Sequence, residues 1–176
     1  MTGEETFHPD TRALLAYGRA LAGSGPAPKK GGADQVLERI FVIERMKDGR
    51  LPIRTFGKEL TDVFGRDLRE HDFNRFFLAP DLGLLQALLD ACSAANEPGI
   101  ARVTAETGDG RRIGAEILLT PLKTDLNLGT RFLGLFQSLG GQEFLDGRPI
   151  FRMRLGSLHP PLAKAPVGMR LVVSND

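Results

Sequence analysis

The residues of this chain that could do chemistry are few: three histidines, one cysteine and some local groups of carboxylates. His71 sits in Arg69-Glu-His-Asp72 with Asp67 just upstream. A histidine flanked by acids is the minimum that general acid–base catalysis asks for. The same pattern at the polar end of a helix is a solvated terminus, and that is the reading adopted for Asp67, Glu70 and Asp72. Ser157 and His159 lie in Leu155-Gly-Ser-Leu-His159, which lacks the Gly-x-Ser-x-Gly turn of a nucleophile elbow and stands among prolines. No His-x-x-x-His or Cys-x-x-Cys spacing points to a metal, so no metal ligand is assigned. Gly31-Gly32 follows a linker and Gly108-x-Gly110 marks a hairpin, so neither is a phosphate loop. The residues therefore predict no catalytic site.

Composition narrows the class further. The 176 residues carry 23 Lys plus Arg against 22 Asp plus Glu, a net charge of +1, which argues against a dedicated nucleic-acid binder. One cysteine excludes an internal disulfide. No apolar run reaches the roughly 18 residues of a membrane span, and Met1 to Asp10 lacks the basic and apolar regions of a signal peptide. A cytoplasmic location is expected.

The elements that must position any site can be read from periodicity. Residues 9–23 predict a helix with Asp10 as N-cap and Leu14, Tyr17 and Leu21 on one face. Ser24 to Asp34 reads as a Gly/Pro linker, with Lys29 and Lys30 as solvated charges. Residues 37–46 predict a strand, turned at Asp48-Gly49 into a second strand that runs to about Gly57. Pro52 removes a donor from that second strand and places it at an edge. Lys58 to Phe64 predicts a helix closed by Gly65, and Pro80-Asp81 opens a longer one with Leu82, Leu85, Leu88, Leu89 and Cys92 on a stripe. Residues 100–107, 112–122 and 131–139 predict three more strands, the first two joined at Gly108-Asp-Gly110 and the last two by a polar loop, Thr124 to Gly129. The first and fifth strands are apolar on both faces and suit central positions. The second, with its proline, and the third, half polar, suit edges. The expected fold is α+β: a five-stranded antiparallel sheet of order 2-1-5-4-3 with inserted helices and an N-terminal flanking helix.

That order, with helices after the second strand, resembles the PAS fold. The run Arg54-Thr-Phe-Gly-Lys-Glu-Leu-Thr-Asp-Val-Phe-Gly-Arg-Asp-Leu-Arg69 is similar to the Gly-x-x-Leu-x-x-x-Phe-Gly-Arg-Asp-Leu segment of single-domain PAS proteins of alphaproteobacteria. Gly108-Asp-Gly-Arg-Arg-Ile113 and Leu118-Leu-Thr-Pro-Leu122 follow in register, so the resemblance covers about residues 10–139. It implies a regulatory module of the cell-cycle or polarity type, acting through protein–protein contacts in the cytoplasm or at a cell pole. It implies no catalytic residues, and it leaves the ligand open, since PAS pockets host haem, flavin, metabolites or nothing. The division that follows is 1–34 for helix and linker, 35–139 for the PAS domain and 140–176 for a Pro/Arg-containing extension.

The residues limit the cofactor. Haem requires an axial ligand such as histidine, and His71, alone of the three in the PAS core, reads as a surface residue. A photoactive flavin would need its cysteine in an Asn-Cys-Arg-Phe-Leu-Gln context. Cys92 stands instead in Asp90-Ala-Cys-Ser93 on an apolar stripe and reads as buried and structural. No cofactor is assigned. An unknown small molecule, a metabolite or nucleotide second messenger, remains the alternative, in a pocket lined by Phe64, Phe73, Phe76, Phe77, Leu85, Ile117, Leu119 and Phe136, with Arg54 as its charged contact. A fully packed core fits the same residues. The helix at 9–23 is the expected contact in a homodimer, through Leu14, Tyr17 and Leu21. In the tail, Gly147 to Asn175 holds five basic residues and no acid. Ile150 to Leu155 and Arg170 to Val173 read as short strands, either an added hairpin or a segment that docks on an acidic partner or membrane surface.

Overall fold

The computed structural model describes residues 6–23, 25, 34–123 and 130–162. The linker lysines, the loop 124–129 and the strand expected at Arg170 to Val173 lie outside the described residues.

Helix α1 spans Pro9–Leu21. Its N-cap is His8 rather than Asp10: His8 Nδ1 accepts from the Asp10 amide at 3.1 Å, and Pro9 fills the first helical position, where no donor is needed. Strand β1, Ile40–Arg45, starts later than the predicted residue 37, because Asp34–Arg39 winds into a 3-10 helix. Strand β2, Ile53–Phe56, leads into helix α2, Lys58–Phe64, which ends at Gly65 in the left-handed conformation, φ 73°. A 3-10 helix, Phe73–Phe76, is capped by Asp72, whose carboxylate accepts from the amides of Leu51 and Asn74. Helix α3, Ala79–Ala95, ends at Asn96, also left-handed. Strands β3, Gly99–Thr107, β4, Arg112–Leu122, β5, Thr130–Ser138, and β6, Ile150–His159, complete the chain.

The strands form one sheet of order β2-β1-β5-β4-β3-β6, with every neighbouring pair antiparallel. The five-strand order expected from the sequence is present, and β6 extends it. β3 is therefore not an edge. Its polar alternation reports a polar face, with Arg102 and Thr104 half-buried and Glu106 buried, whereas edge position depends on backbone pairing, and the two are independent. Within the extension that begins at residue 140, Leu145, Ile150 and Met153 are buried in the main core.

Alternation sends Phe41, Ile43, Ile53, Val103, Ile117 and Phe136 to one face of the sheet, the front, where α2, Phe73–Phe76 and α3 cover them. Ile100, Leu118 and Leu135 point to the back and meet Leu14 and Leu15 of α1, with Phe7 and Val36. Gly18 lets α1 approach closely, since a Cβ there would collide with Thr120 Oγ1. The front face and the part of the back face under α1 are thus closed by hydrophobic burial, the dominant favourable term in folding.

Candidate functional site

The front chamber is the place where a ligand would lie between helices and sheet. Four of the expected lining residues, Phe64, Phe73, Phe76 and Phe136, surround one void with Phe41, Ile53, Phe56 and Leu60. The rings engage one another. Phe41 stacks on Phe73 at 5.2 Å between centroids, and Phe64 meets Phe76 and Phe136 edge-on at 5.0 and 5.4 Å. What they leave is about 10 Å³, scarcely one water, and no polar atom faces it. Phe77, Leu85, Ile117 and Leu119 are buried in the same core without lining that void. In this structure the chamber is filled by its own phenylalanines.

Arg54 does not reach the chamber. Ile53 faces the front, so the next residue faces the back. There Arg54 Nε donates to Glu44 at 2.7 Å and Nη1 to Glu70 at 2.6 Å. The Glu44 bond, then the Glu70 bond, hold its guanidinium pKa above the ordinary value. The expected ligand contact is an ion-pair hub, and its parity with Ile53 was the signal that could have shown it.

Cys92 is fully buried on α3, with Sγ 3.7 Å from the Leu119 carbonyl oxygen. Burial pushes its thiol pKa up to about 12, so it is neither thiolate nor nucleophile at neutral pH. His71 is exposed. Its neighbours have structural duties: Asp67 pairs with Arg69, Glu70 with Arg54, and Asp72 caps the 3-10 helix. Among the described residues no group of three or more His, Cys, Asp or Glu could hold a metal.

Of the dimer candidates, Leu14 is buried against the chain's own sheet. Tyr17 is half-buried against the same cluster, and only Leu21 is exposed. The apolar face reserved for a second copy thus covers β4 and β5 of the same chain. Leu21 also lines an open cleft of about 180 Å³, with Ala22, Asn96, Pro121, Leu122 and Lys123, where the ends of α1 and α3 approach the end of β4.

The back face holds a polar latch that the sequence reading missed. Glu116 of β4 is fully buried. Its Oε2 accepts from the His8 amide at 3.0 Å, and its Oε1 lies 3.4 Å from Arg102. Arg102 Nη2 also donates to the Thr6 carbonyl at 2.7 Å and its guanidinium covers the Phe7 ring. Phe7 in turn packs edge-on against His159, whose pKa is lowered by burial first and by the Arg102 charge second.

A PAS domain family model matches residues 6–137, three-quarters of the chain. The chain belongs to the PAS domain family. The match begins with the latch at Thr6 and ends in β5, so β6 is an addition beyond the matched PAS segment. No curated protein matches the chain. Among solved structures it is similar to a fungal LOV-domain photoreceptor at 15% identity, over 70% of this chain and 90% of that one, with a TM-score of 0.48. It is similar to the dark structure of the blue-light photoreceptor Aureochrome1 LOV at 11% identity, over 69% and 93%, with a TM-score of 0.47. A blue-light activated histidine kinase of Erythrobacter litoralis is 15% identical over 60% of this chain and 35% of that one, with a TM-score of 0.45.

Proposed function

We propose that this PAS domain is a non-catalytic signalling regulator that acts through protein–protein contacts rather than through a bound ligand. The observation that carries the reading is the front chamber. Eight apolar side chains close on about 10 Å³, too little for any metabolite. A ligand would have to displace several buried phenylalanines at once, and each is worth roughly 1.5–3 kcal/mol of burial. The motifs between Arg54 and Leu122 support the cell-cycle or polarity type found in alphaproteobacteria, working in the cytoplasm or at a cell pole. In a homodimer, α1 offers its exposed end at Leu21 rather than Leu14.

Thermal denaturation of the purified chain with added flavin mononucleotide, haemin, ATP or cyclic di-GMP tests the reading. Anything that binds the folded state alone raises the melting temperature. The regulator predicts a shift under about 1 °C for each, less than 1 kcal/mol produces in a domain of this size. A saturable rise of several degrees with one of them would replace it with the small-molecule sensor.

A further inference from the structure

The back face of the sheet is covered unevenly. Helix α1 lies over β5 and β4, and the latch at Thr6 to His8 closes the end of β3 and β4 around Arg102 and Glu116. Beyond them, two rows of cross-strand neighbours remain on β4, β3 and β6. One row is Arg112, Glu106 and Arg152, and the next is Gly114, Thr104 and Arg154. The side chains of Arg112 and Arg154 are 57% and 50% exposed. All three arginines converge on one carboxylate: Glu106 lies 3.1 Å from Arg152, 3.6 Å from Arg112 and 3.9 Å from Arg154. Among the described residues no second acid pairs with them, so the patch carries a surplus of two positive charges.

The patch also has an apolar floor. Gly114 bears no side chain, and Leu139, nearly half exposed, lies where a Cβ on Gly114 would touch it. The bulge between Glu106 and Thr107 adds a rim. Ile150 and Met153 both face the front core with two residues between them, so Phe151 and Arg152 both face the back. There Phe151 is half exposed beneath the Arg152 guanidinium.

We infer that this surface docks an acidic segment of a protein partner, whose carboxylates meet Arg112 and Arg154 and whose apolar side chain rests on Gly114 and Leu139. The inference deepens the regulator reading and rests on it. Charge complementarity selects the acidic partner. A nucleic-acid strand needs a longer basic track, and the neighbouring arginines are already paired, Arg111 and Arg148 with Asp109, Arg148 also with Asp146, and Arg102 with Glu116.

Fluorescence anisotropy on the full chain tests it, with a short labelled peptide repeating Glu-Leu-Glu as the probe. The same peptide with lysine for glutamate and a labelled oligothymidylate serve as controls. The Glu-Leu-Glu peptide is expected to bind, to weaken as salt rises, and to lose about tenfold or more in affinity in R112E/R154E. Both positions are exposed but face Glu106, so R112Q/R154Q, which adds no charge beside that carboxylate, is measured alongside and should melt close to the parent while also losing affinity. L139S, which leaves the charges alone, should weaken binding about threefold or more by removing the apolar seat. No binding of the Glu-Leu-Glu peptide, or equal binding by parent and R112E/R154E, would overturn the inference. Tighter binding of oligothymidylate with the same sensitivity to R112E/R154E would overturn it in favour of nucleic acid. None of these results bears on the chamber, whereas a ligand found there would remove the regulator reading and leave the peptide result standing.

Discussion

The ring of Phe41 in β1 occupies the space directly over Gly134, its partner in β5. A Cβ on Gly134 would stand 2.7 Å from Phe41 Cε1 and closer still to Cζ. The missing side chain lets the ring lie down on the sheet and stack on Phe73, which fills the chamber from below. Two residues in neighbouring strands thus help to close the chamber on its void of about 10 Å³.

Gly134→Ala measures that contact. On backbone entropy alone, alanine would stabilise by about 0.4–1 kcal/mol. Overpacking a filled core costs about 1–3 kcal/mol, and with backbone on one side and a stacked ring on the other the cost should win. Urea unfolding should show net destabilisation of about 1–2 kcal/mol. Adding Phe41→Leu should relieve part of it, and strict additivity of the two changes would contradict the contact.

Cys92 should be silent toward thiol reagents in the folded protein and fully reactive in denaturant. Its pKa also sets a pH dependence. Between the ordinary value of 9.0 and about 12, the unfolded chain gives up the thiol proton while the folded chain keeps it. The folded state then binds more protons, so stability falls as pH rises through this window. Cys92→Ala lacks the group, so the stability gap between parent and variant should narrow from pH 9 to pH 11. A constant gap would mean that the thiol is not buried as described.

Glu116→Ala should loosen the latch. It leaves the His8 amide and the Arg102 guanidinium without their buried acceptor, a loss of about 1–3 kcal/mol. Hydrogen exchange should quicken in α1 ahead of β1 and β5, and Glu116→Gln, which keeps an acceptor, should be milder. Uniform quickening across the sheet would show that the latch does not hold α1 in particular.

Ending the chain after Gly140 should not leave a stable domain. It removes Leu145, Ile150 and Met153 from the core, each worth about 1.5–3 kcal/mol. The sum rivals the entire stability of an ordinary domain. The shortened chain is expected to show poor amide dispersion and to bind a hydrophobic dye, and a parent-like melting temperature would make β6 an ornament.

Local signals carried most of the fold. Asp48-Gly49 and Gly108-Asp-Gly110 are turns whose chemistry needs no tertiary context, and the two-faced apolarity of β1 and β5 marked them as inner strands. β6 was visible as an alternation from Ile150 to Leu155, but its partner was not. Pairing β6 with β3 is a long-range choice, and two bulges break its alternation at Gly156 and Phe151. The chamber residues were legible as apolar, not as packed. Whether Phe41 leaves room depends on Gly134, far away in sequence, and the notch at Gly114 beside Leu139 is equally non-local. The latch was hidden because Glu116 reads as a solvent residue on an alternating strand. Only the docking of Thr6 to His8 buries it.

Native mass spectrometry of the purified full chain, with an absorbance spectrum on the same sample, tests the central claim most directly. The filled chamber predicts the bare mass of the chain or a multiple of it, with no visible band. An added mass that denaturation releases, or a visible chromophore, would contradict it and make this PAS domain a sensor.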